Sequence, residues 1–367
     1  MLRAPIIAVC IALAAANCSD HTDCNSCSLS HNCGWCIRDE RCYASDSENG
    51  PCTPKMMQSD ATCTFSPPSY DQNEAITMAK LSSAAYNDNP TFCMEAMNYD
   101  YQILSVIQKT TDVFKDITVG FVARSDSAKA LVISYRGTAH GTELFMEVLK
   151  DALPTLAHPV AGRVAAYFYD AHSALWPEVR TLVAAELQKY PSYTVYVTGH
   201  SLGGAIASLA SLQLVYDGMV SRDRVRLITF GQPRVGNYDY ASVHDSYVPH
   251  SWRLVHNRDI IPHLPLCVGF LQCSHWLPTF AYHHGVEVYY PAEEMNATLP
   301  LEYKICHGRP TNEDQACSNA AVFRKPCTFD IDQCVQQHVK YFDTHFANFG
   351  LNNCTGIINV RCDLPGC

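Results

Sequence analysis

This 367-residue sequence predicts an α/β fold with a central, mostly parallel sheet, preceded by a small disulfide-rich module. Three observations carry that expectation. From residue 74 onward, apolar runs with the two-residue period of strands alternate with runs of helical period, the pattern of a parallel sheet covered on both faces. Eight of the 19 cysteines crowd into residues 18 to 63, in a segment with few long aliphatic side chains. The chain as a whole is 47% hydrophobic, so the part behind that segment can build a full core of its own.

Taken in order, residues 1 to 16, MLRAPIIAVCIALAAA, have a basic start at Arg3, an apolar stretch and a small-residue end. They read as a secretory signal, because the apolar run stops well short of the ~20 residues that span a bilayer. No later run is long enough either, so no transmembrane segment is expected. Cys10 leaves with the signal, and the even remainder in an oxidising compartment predicts disulfides. Sequons at Asn17, Asn296 and Asn353 agree with an extracellular, glycosylated chain. The formal charge of −10 becomes −11 when Arg3 is lost, and the basic residues form no long block, which argues against nucleic acid and anionic membranes as partners.

Residues 17 to 65 form the cysteine module, which must be held by cross-links where a core is lacking. Cys24 and Cys27, then Cys33 and Cys36, have the spacing of zinc ligands or of a redox motif, but the pairs are too close for a zinc ribbon and no strand and helix surround CGWC. No metal and no cofactor is expected. Residues 66 to 70, in the proline-containing stretch FSPPSYDQN, make a linker. The main domain runs from 71 to 354, followed by a cysteine-containing tail at 355 to 367.

Within that domain, EAITMAKLSSAAY reads as a helix and DITVGFVAR and KALVISYRG as strands. SALWPEVRTLVAAELQKY reads as a helix with Pro177 confined to its first turn. The strand TVYVTG, an Ala-rich helix through Tyr216, and the strands RVRLITF, WRLVHN and VEVYY follow.

Gly199-His200-Ser201-Leu202-Gly203 is a G-x-S-x-G motif between a strand and a helix, the context that pushes a serine out on a strained turn. The glycines avoid a collision where strand and helix cross. A serine hydroxyl is a poor nucleophile, so it needs a base and a carboxylate that orients the base. Asp259, at the carboxyl end of an apolar run and before Pro262, is the candidate acid. Asp217, Asp223, Asp239 and Asp245 read as solvated residues of helix ends and polar connections. The base is left open between His338 and His345; His283 and His284 lead into a strand and read as structural. Leu202, at the head of the helix, and Thr138, just past Gly137, are candidates for the backbone donors of an oxyanion hole.

These residues together resemble the class 3, fungal-type lipase family of the α/β-hydrolase fold: YRGT, YPSYTVYVTGHSLGGA, TFGQPRVGN and RLVHNRDIIPHLP stand in its order and spacing. The resemblance implies Ser201 as nucleophile, Asp259 as triad acid, and Thr138 with Leu202 as the oxyanion pair. The family's late histidine is followed after two residues by Tyr-Phe-Gly. That pattern is split here between His338, which keeps Tyr341 and Phe342 but has Asp343, and His345, which keeps the Phe349-Gly350 ending. The preceding CSNAAVF, from Cys317, resembles the family's lead-in and favours His338. In front, C-x2-C-x5-C-G-W-C-x5-C resembles the plexin-semaphorin-integrin type of cysteine module, which implies a structural or protein-contact role.

The family also has a lid. In GTELFMEVLKDAL, Leu144, Phe145, Val148, Leu149 and Leu153 share one helical stripe, and exposing all five to water costs on the order of 10 kcal/mol, which a lipid surface would offset. The expectation is therefore a secreted triacylglycerol lipase working by a Ser-His-Asp triad through an acyl-enzyme, on a lipid ester at an oil-water interface. A feruloyl or phospholipid esterase on the same scaffold, or an inactive secreted lipid-binding protein, are the alternatives.

Overall fold

In the computed structural model, the described residues comprise parts of the first unit (18–21, 27, 33–36, 41–44 and 57–58) and most of 69–356. Within the latter span, 113–114, 116, 139–154, 161, 266–272, 274–280, 297–299, 307–311, 315 and 328–329 are left aside. The chain divides into two compact units, 1–65 and 66–367.

In the first unit, strand β1 (Cys33–Cys36) pairs antiparallel with β2 (Arg41–Ala44) and β3 (Met57–Gln58). Disulfides Cys18–Cys33 and Cys27–Cys42 bracket Trp35, which is buried against Cys27 and Cys42. Cys36 is bonded as well. Cys33 and Cys36 therefore serve different cross-links, and CGWC acts as a strand segment with no dithiol.

The second unit begins with helix α1 (Gln72–Ala84), capped by the Asp71 carboxylate on the Asn73 and Glu74 amides. After α2 (Pro90–Ala96), β4 (Gln102–Thr110), β5 (Ile117–Ser125) and β6 (Ala130–Tyr135) form an antiparallel meander. Their connections are too short for crossovers. The short strands β7 (Thr155–Ala157) and β8 (Arg163–Ala165) lead into helix α3 (Ala166–Lys189). Then come β9 (Thr194–His200), α4 (Leu202–Tyr216), β10 (Val225–Phe230), β11 (Gly236–Asn237), α5 (Tyr238–Tyr247) and β12 (Ser251–His256). The last part holds β13 (Ala281–Tyr282), β14 (Val286–Tyr290), β15 (Lys304–Ile305), α6 (Ser318–Arg324), α7 (Ile331–Val339), the hairpin β16 (Lys340–Tyr341) and β17 (Thr344–His345), and α8 (Phe346–Leu351).

The main sheet has the order β15-β14-β12-β10-β9-β6-β5-β4. It is parallel from β6 to β14, as the sequence predicted for the centre, and antiparallel at both margins. Strand β4 has no simple apolar alternation, with buried Ile107 among exposed and half-buried residues, which is why it escapes a pattern reading. Helix α3 also differs from expectation. It starts at Ala166 and holds Pro177 in its interior. Burial of Tyr167, Phe168, Ala171, His172 and Leu175 along its first turns outweighs the ~3 kcal/mol cost of an interior proline. Disulfides Cys93–Cys354, Cys306–Cys317 and Cys327–Cys334 staple the unit.

Candidate active site

At the carboxyl end of β9, Ser201 has φ 59° and ψ −126°, a conformation that an L-residue rarely holds. The fold over-determines it. The Ser201 amide donates to the Phe230 carbonyl at 2.9 Å while the Ser201 carbonyl takes the Gly204 amide, so the turn is fixed from both sides. The flanking glycines are required by close approach: a Cβ on Gly199 would lie 2.3 Å from the Gly203 backbone, and one on Gly203 would lie 2.2 Å from the Tyr135 carbonyl. Small Ala205 and Ala207 on α4 are fully buried.

Asp259 sits three residues past β12 in a turn, and its side chain is fully buried. With no water to solvate it, the carboxylate is held by donors. Oδ1 accepts from the Ile261 amide at 2.9 Å, and Oδ2 accepts from the Tyr341 hydroxyl at 2.7 Å. Burial, then the Asp259 charge, holds the Tyr341 phenol well above its ordinary value, so it stays a proton donor. His338, in the last turn of α7, lies 3.0 Å by Nδ1 from both Asp259 oxygens and 3.0 Å by Nε2 from Ser201 Oγ. Gly231 underlies the pair, since a Cβ there would meet Asp259 Oδ2 and His338 Nδ1, each at 2.7 Å.

His345 stands elsewhere. It caps α8, its Nδ1 accepting from the Asn348 amide at 3.4 Å. Asp343, which follows Tyr341 and Phe342 in the motif, adopts φ 58°, a region that Asp enters more readily than most residues. Asp245, expected to be solvated, is instead buried, taking the Gly285 amide and the Asn312 side-chain amide at 2.6 Å each. The return of the chain at Gly285 closes over it.

The strand end after β6 comes up against the serine, a Cβ on Gly137 falling 3.3 Å from Ser201 Cβ. The next residue, Thr138, has a buried Oγ1 with no hydrogen-bond partner among the described residues. Leu202 opens α4, where the first amides have no acceptor within the helix. The amphipathic segment 141 to 153 lies outside the described residues.

Several residues of the site have roles without a signature in the sequence. Arg258 pins the acid turn to α7, its guanidinium touching Gln333, the Lys325 carbonyl and Asp330 while its amide donates to Gln337 Oε1 at 3.0 Å. Tyr341, Gly231, Tyr86 and His200 are the others; all but Tyr86 lie, as Arg258 does, inside motifs of the sequence without any role being read for them.

Comparison with known proteins agrees with this geometry. Residues 132–269 match the family model described as lipase (class 3). Lipase ZK262.3 of Caenorhabditis elegans is 32% identical over 300 residues, covering 78% of this chain and 83% of that protein. The lipase of Rhizomucor miehei is 33% identical over 243 residues, covering 65% of this chain and 59% of the other sequence. The solved structure of the Rhizomucor miehei triacylglyceride lipase has a TM-score of 0.60 at 26% identity, with 78% of this chain and 98% of that one covered. A further solved triacylglycerol lipase, described as having a serine protease triad as its catalytic centre, has a TM-score of 0.59 at 26% identity over 76% of this chain and 97% of that chain. None of them bears on the N-terminal cysteine module. The chain belongs to the class 3 lipase family and is a carboxylic ester hydrolase on the α/β-hydrolase fold.

Proposed function

We propose that this protein is a secreted triacylglycerol lipase that works through an acyl-enzyme, with Ser201 as nucleophile, His338 as general base, Asp259 as its orienting acid, and the Thr138 and Leu202 amides as oxyanion donors. The observation that carries the reading is the unbroken run of 3.0 Å contacts from Ser201 Oγ through both nitrogens of His338 to Asp259. Because a carboxylate only accepts, Nδ1 keeps its proton and Nε2 offers a lone pair to the serine.

In the forward step the Ser201 oxygen bonds to the ester carbonyl carbon while its proton moves to His338 Nε2. The imidazolium so formed has the Asp259 charge 3.0 Å away. The carbonyl oxygen becomes an oxyanion facing the amides of Leu202 and Thr138. Collapse breaks the ester C–O bond, and the departing alkoxide takes the proton from Nε2, leaving the acyl group on Ser201. Water repeats the sequence, releasing the fatty acid and restoring the serine.

The triacylglycerol substrate is supported by the named solved relatives, and action at an oil-water interface by the apolar stripe of 141 to 153. Secretion is supported by the signal-like segment 1 to 16 and the disulfides, and glycosylation by exposed sequon residues Asn296 and Asn353. Among the described residues no helix is long and apolar enough to cross a membrane. The cysteine module would have a structural or protein-contact role.

The test is a fluorophosphonate reaction on the secreted protein followed by mapping of the adduct, with hydrolysis of emulsified triacylglycerol beside soluble short esters. The adduct is expected on Ser201, and Ser201→Ala is expected to lower kcat on the order of 10⁶-fold. Labelling that spares Ser201 sinks the reading, and activity that does not rise with an oil interface removes its interfacial part.

A further inference from the structure

A second line of hydrogen bonds reaches the same histidine from the side away from Asp259. Tyr86, just past α1 and buried, lies with its hydroxyl 2.9 Å from Nδ1 of His200, the residue before the serine. His200 Nε2 lies 2.9 Å from the His338 carbonyl. A carbonyl only accepts, so the His200 proton sits on Nε2, Nδ1 carries a lone pair, and the Tyr86 hydroxyl is the donor between them. The same hydroxyl lies against the backbone of Gly137, where a Cβ would come within 2.2 Å of it. The hydrogens between Tyr86, His200 and the His338 carbonyl are thereby assigned.

The geometry points to Tyr86 and His200 as a positioning relay: one phenol oxygen ties the oxyanion strand end at Gly137 to His200, and His200 holds the end of α7 so that the His338 ring stays aimed at Ser201. This rests on the triad reading above. His338 lies in the last turn of α7, where carbonyls have no acceptor role left within the helix, and His200 supplies the missing donor for its carbonyl. His256 Nδ1 and the Arg258 amide hold Gln337 and Lys340 on either side of His338, and the His338 carbonyl is the point of this turn that His200 fixes. The rings also pack in series, with His200 4.6 Å from His338 by centroid and stacked on Phe346 at 4.1 Å and 8°. Gly137 completes the fit, since a Cβ there would lie 2.2 Å from the Tyr86 hydroxyl and 2.6 Å from the His200 carbonyl. Burial, and after it the neighbouring His338, keeps His200 well below the ordinary histidine range, so it stays neutral while His338 gains and loses its proton. Neither relay residue touches the reacting atoms; both act through His338 and the strand end.

Titration of the active serine with a fluorophosphonate tests the relay separately from the triad, since an unlabelled wild-type Ser201 counts against the triad alone. In Tyr86→Phe, kcat per titrated serine is expected to fall ~10-fold with KM held within about twofold, and in His200→Leu ~10²-fold, the scale of a small misplacement of a catalytic group. His200→Gln, whose amide still donates toward the His338 carbonyl, is expected to recover part of the loss. Tyr86→Phe added to His200→Leu is expected to lower kcat no further, because both act on one line. Wild-type kcat per titrated serine in Tyr86→Phe and His200→Leu, or losses that multiply as independent effects, overturn the relay. Nitrogen NMR of the wild type needs no variant: His200 protonated on Nε2 supports the relay, and His200 protonated on Nδ1 ends it.

Discussion

Helix α4 meets a histidine cluster at two stations, and the two are built differently. At its head, His338 holds a carboxylate on one nitrogen and the Ser201 hydroxyl on the other. About two turns further on, Ser208 and Ser211 meet His284 and His244, whose rings lie 3.7 Å apart. There, among the described residues, His284 Nε2 meets the Ser208 hydroxyl at 2.7 Å and the Gln232 amide at 3.0 Å. The neighbouring Asp245 has its oxygens engaged by Gly285 and Asn312. Burial pushes His244 down to about 3 and, with His244, Arg253 and His283 beside it, His284 well below its ordinary value. The lesson is that burial alone makes histidine an inert neutral filler. A carboxylate on one face together with a serine hydroxyl on the other is what the proposed base has and, among the described residues, these histidines lack.

The sharpest way to break the comparison is Asp259→Asn. The amide cannot fix the proton on Nδ1, so kcat is expected to fall on the order of 10⁴-fold, equivalent to about 5.5 kcal/mol of transition-state stabilisation. The fold should survive, because asparagine keeps the volume and an acceptor for Ile261. Burst kinetics and a thermal melt check both halves; a variant that loses activity only by unfolding would deny Asp259 its role.

The second station predicts an acid-sensitive fold. His244 is neutral when folded, and unfolding returns it to about 6.5. The unfolded chain then binds more protons between about pH 6.5 and the folded value near 3. Stability is therefore full above that window and lost as pH falls through it, by about 1.4 kcal/mol per pH unit for each such histidine. His172 and His283, also driven by burial to about 3, add to the slope. His244→Phe should flatten it by one histidine's share in urea melts at pH 7, 6 and 5. It leaves no orphaned partner, since Ser211 still donates to the Ser208 carbonyl at 2.8 Å. An unchanged slope would mean that His244 is already protonated in the fold.

How much of this was legible depended on whether the chemistry is local in the chain. Ser201 and the glycines around it are one short window in which strand, turn and helix are all specified, so the sequence exposes them. Asp259 was reachable because an apolar strand and a proline bracket it. His338 was ambiguous because the motif that marks it is split, and what favours it is a set of contacts with Ser201 and Asp259 that lie far off in the chain. The roles of Tyr86, Arg258 and Gly231 were unreadable, although the last two lie inside motifs that mark the family. Their roles arise from contacts across 114, 75 and more residues of chain, and nothing in a tyrosine after a helix or a glycine after a strand announces such a partner. The antiparallel margin at β4 was missed for a related reason: an edge strand owes its state to pairing with β5 more than to its own pattern.

The smallest effect sharpens the comparison most, because it touches the feature that separates the two stations. Tyr341 donates to Asp259 Oδ2 at 2.7 Å and accepts from the His256 amide at 3.2 Å, so its hydroxyl fixes the carboxylate relative to β12. In Tyr341→Phe the ring still packs on Phe230 and Phe346, while the carboxylate loses one of its donors. A lost hydrogen bond to a buried charge costs about 1.5–3 kcal/mol of stability, a few degrees of melting temperature for a domain of this size. If that donor also orients Asp259 toward His338, kcat should fall ~10-fold at unchanged KM. A lower melting temperature with unchanged kcat would assign Tyr341 to the fold and leave the Ile261 amide as the group that aims the acid.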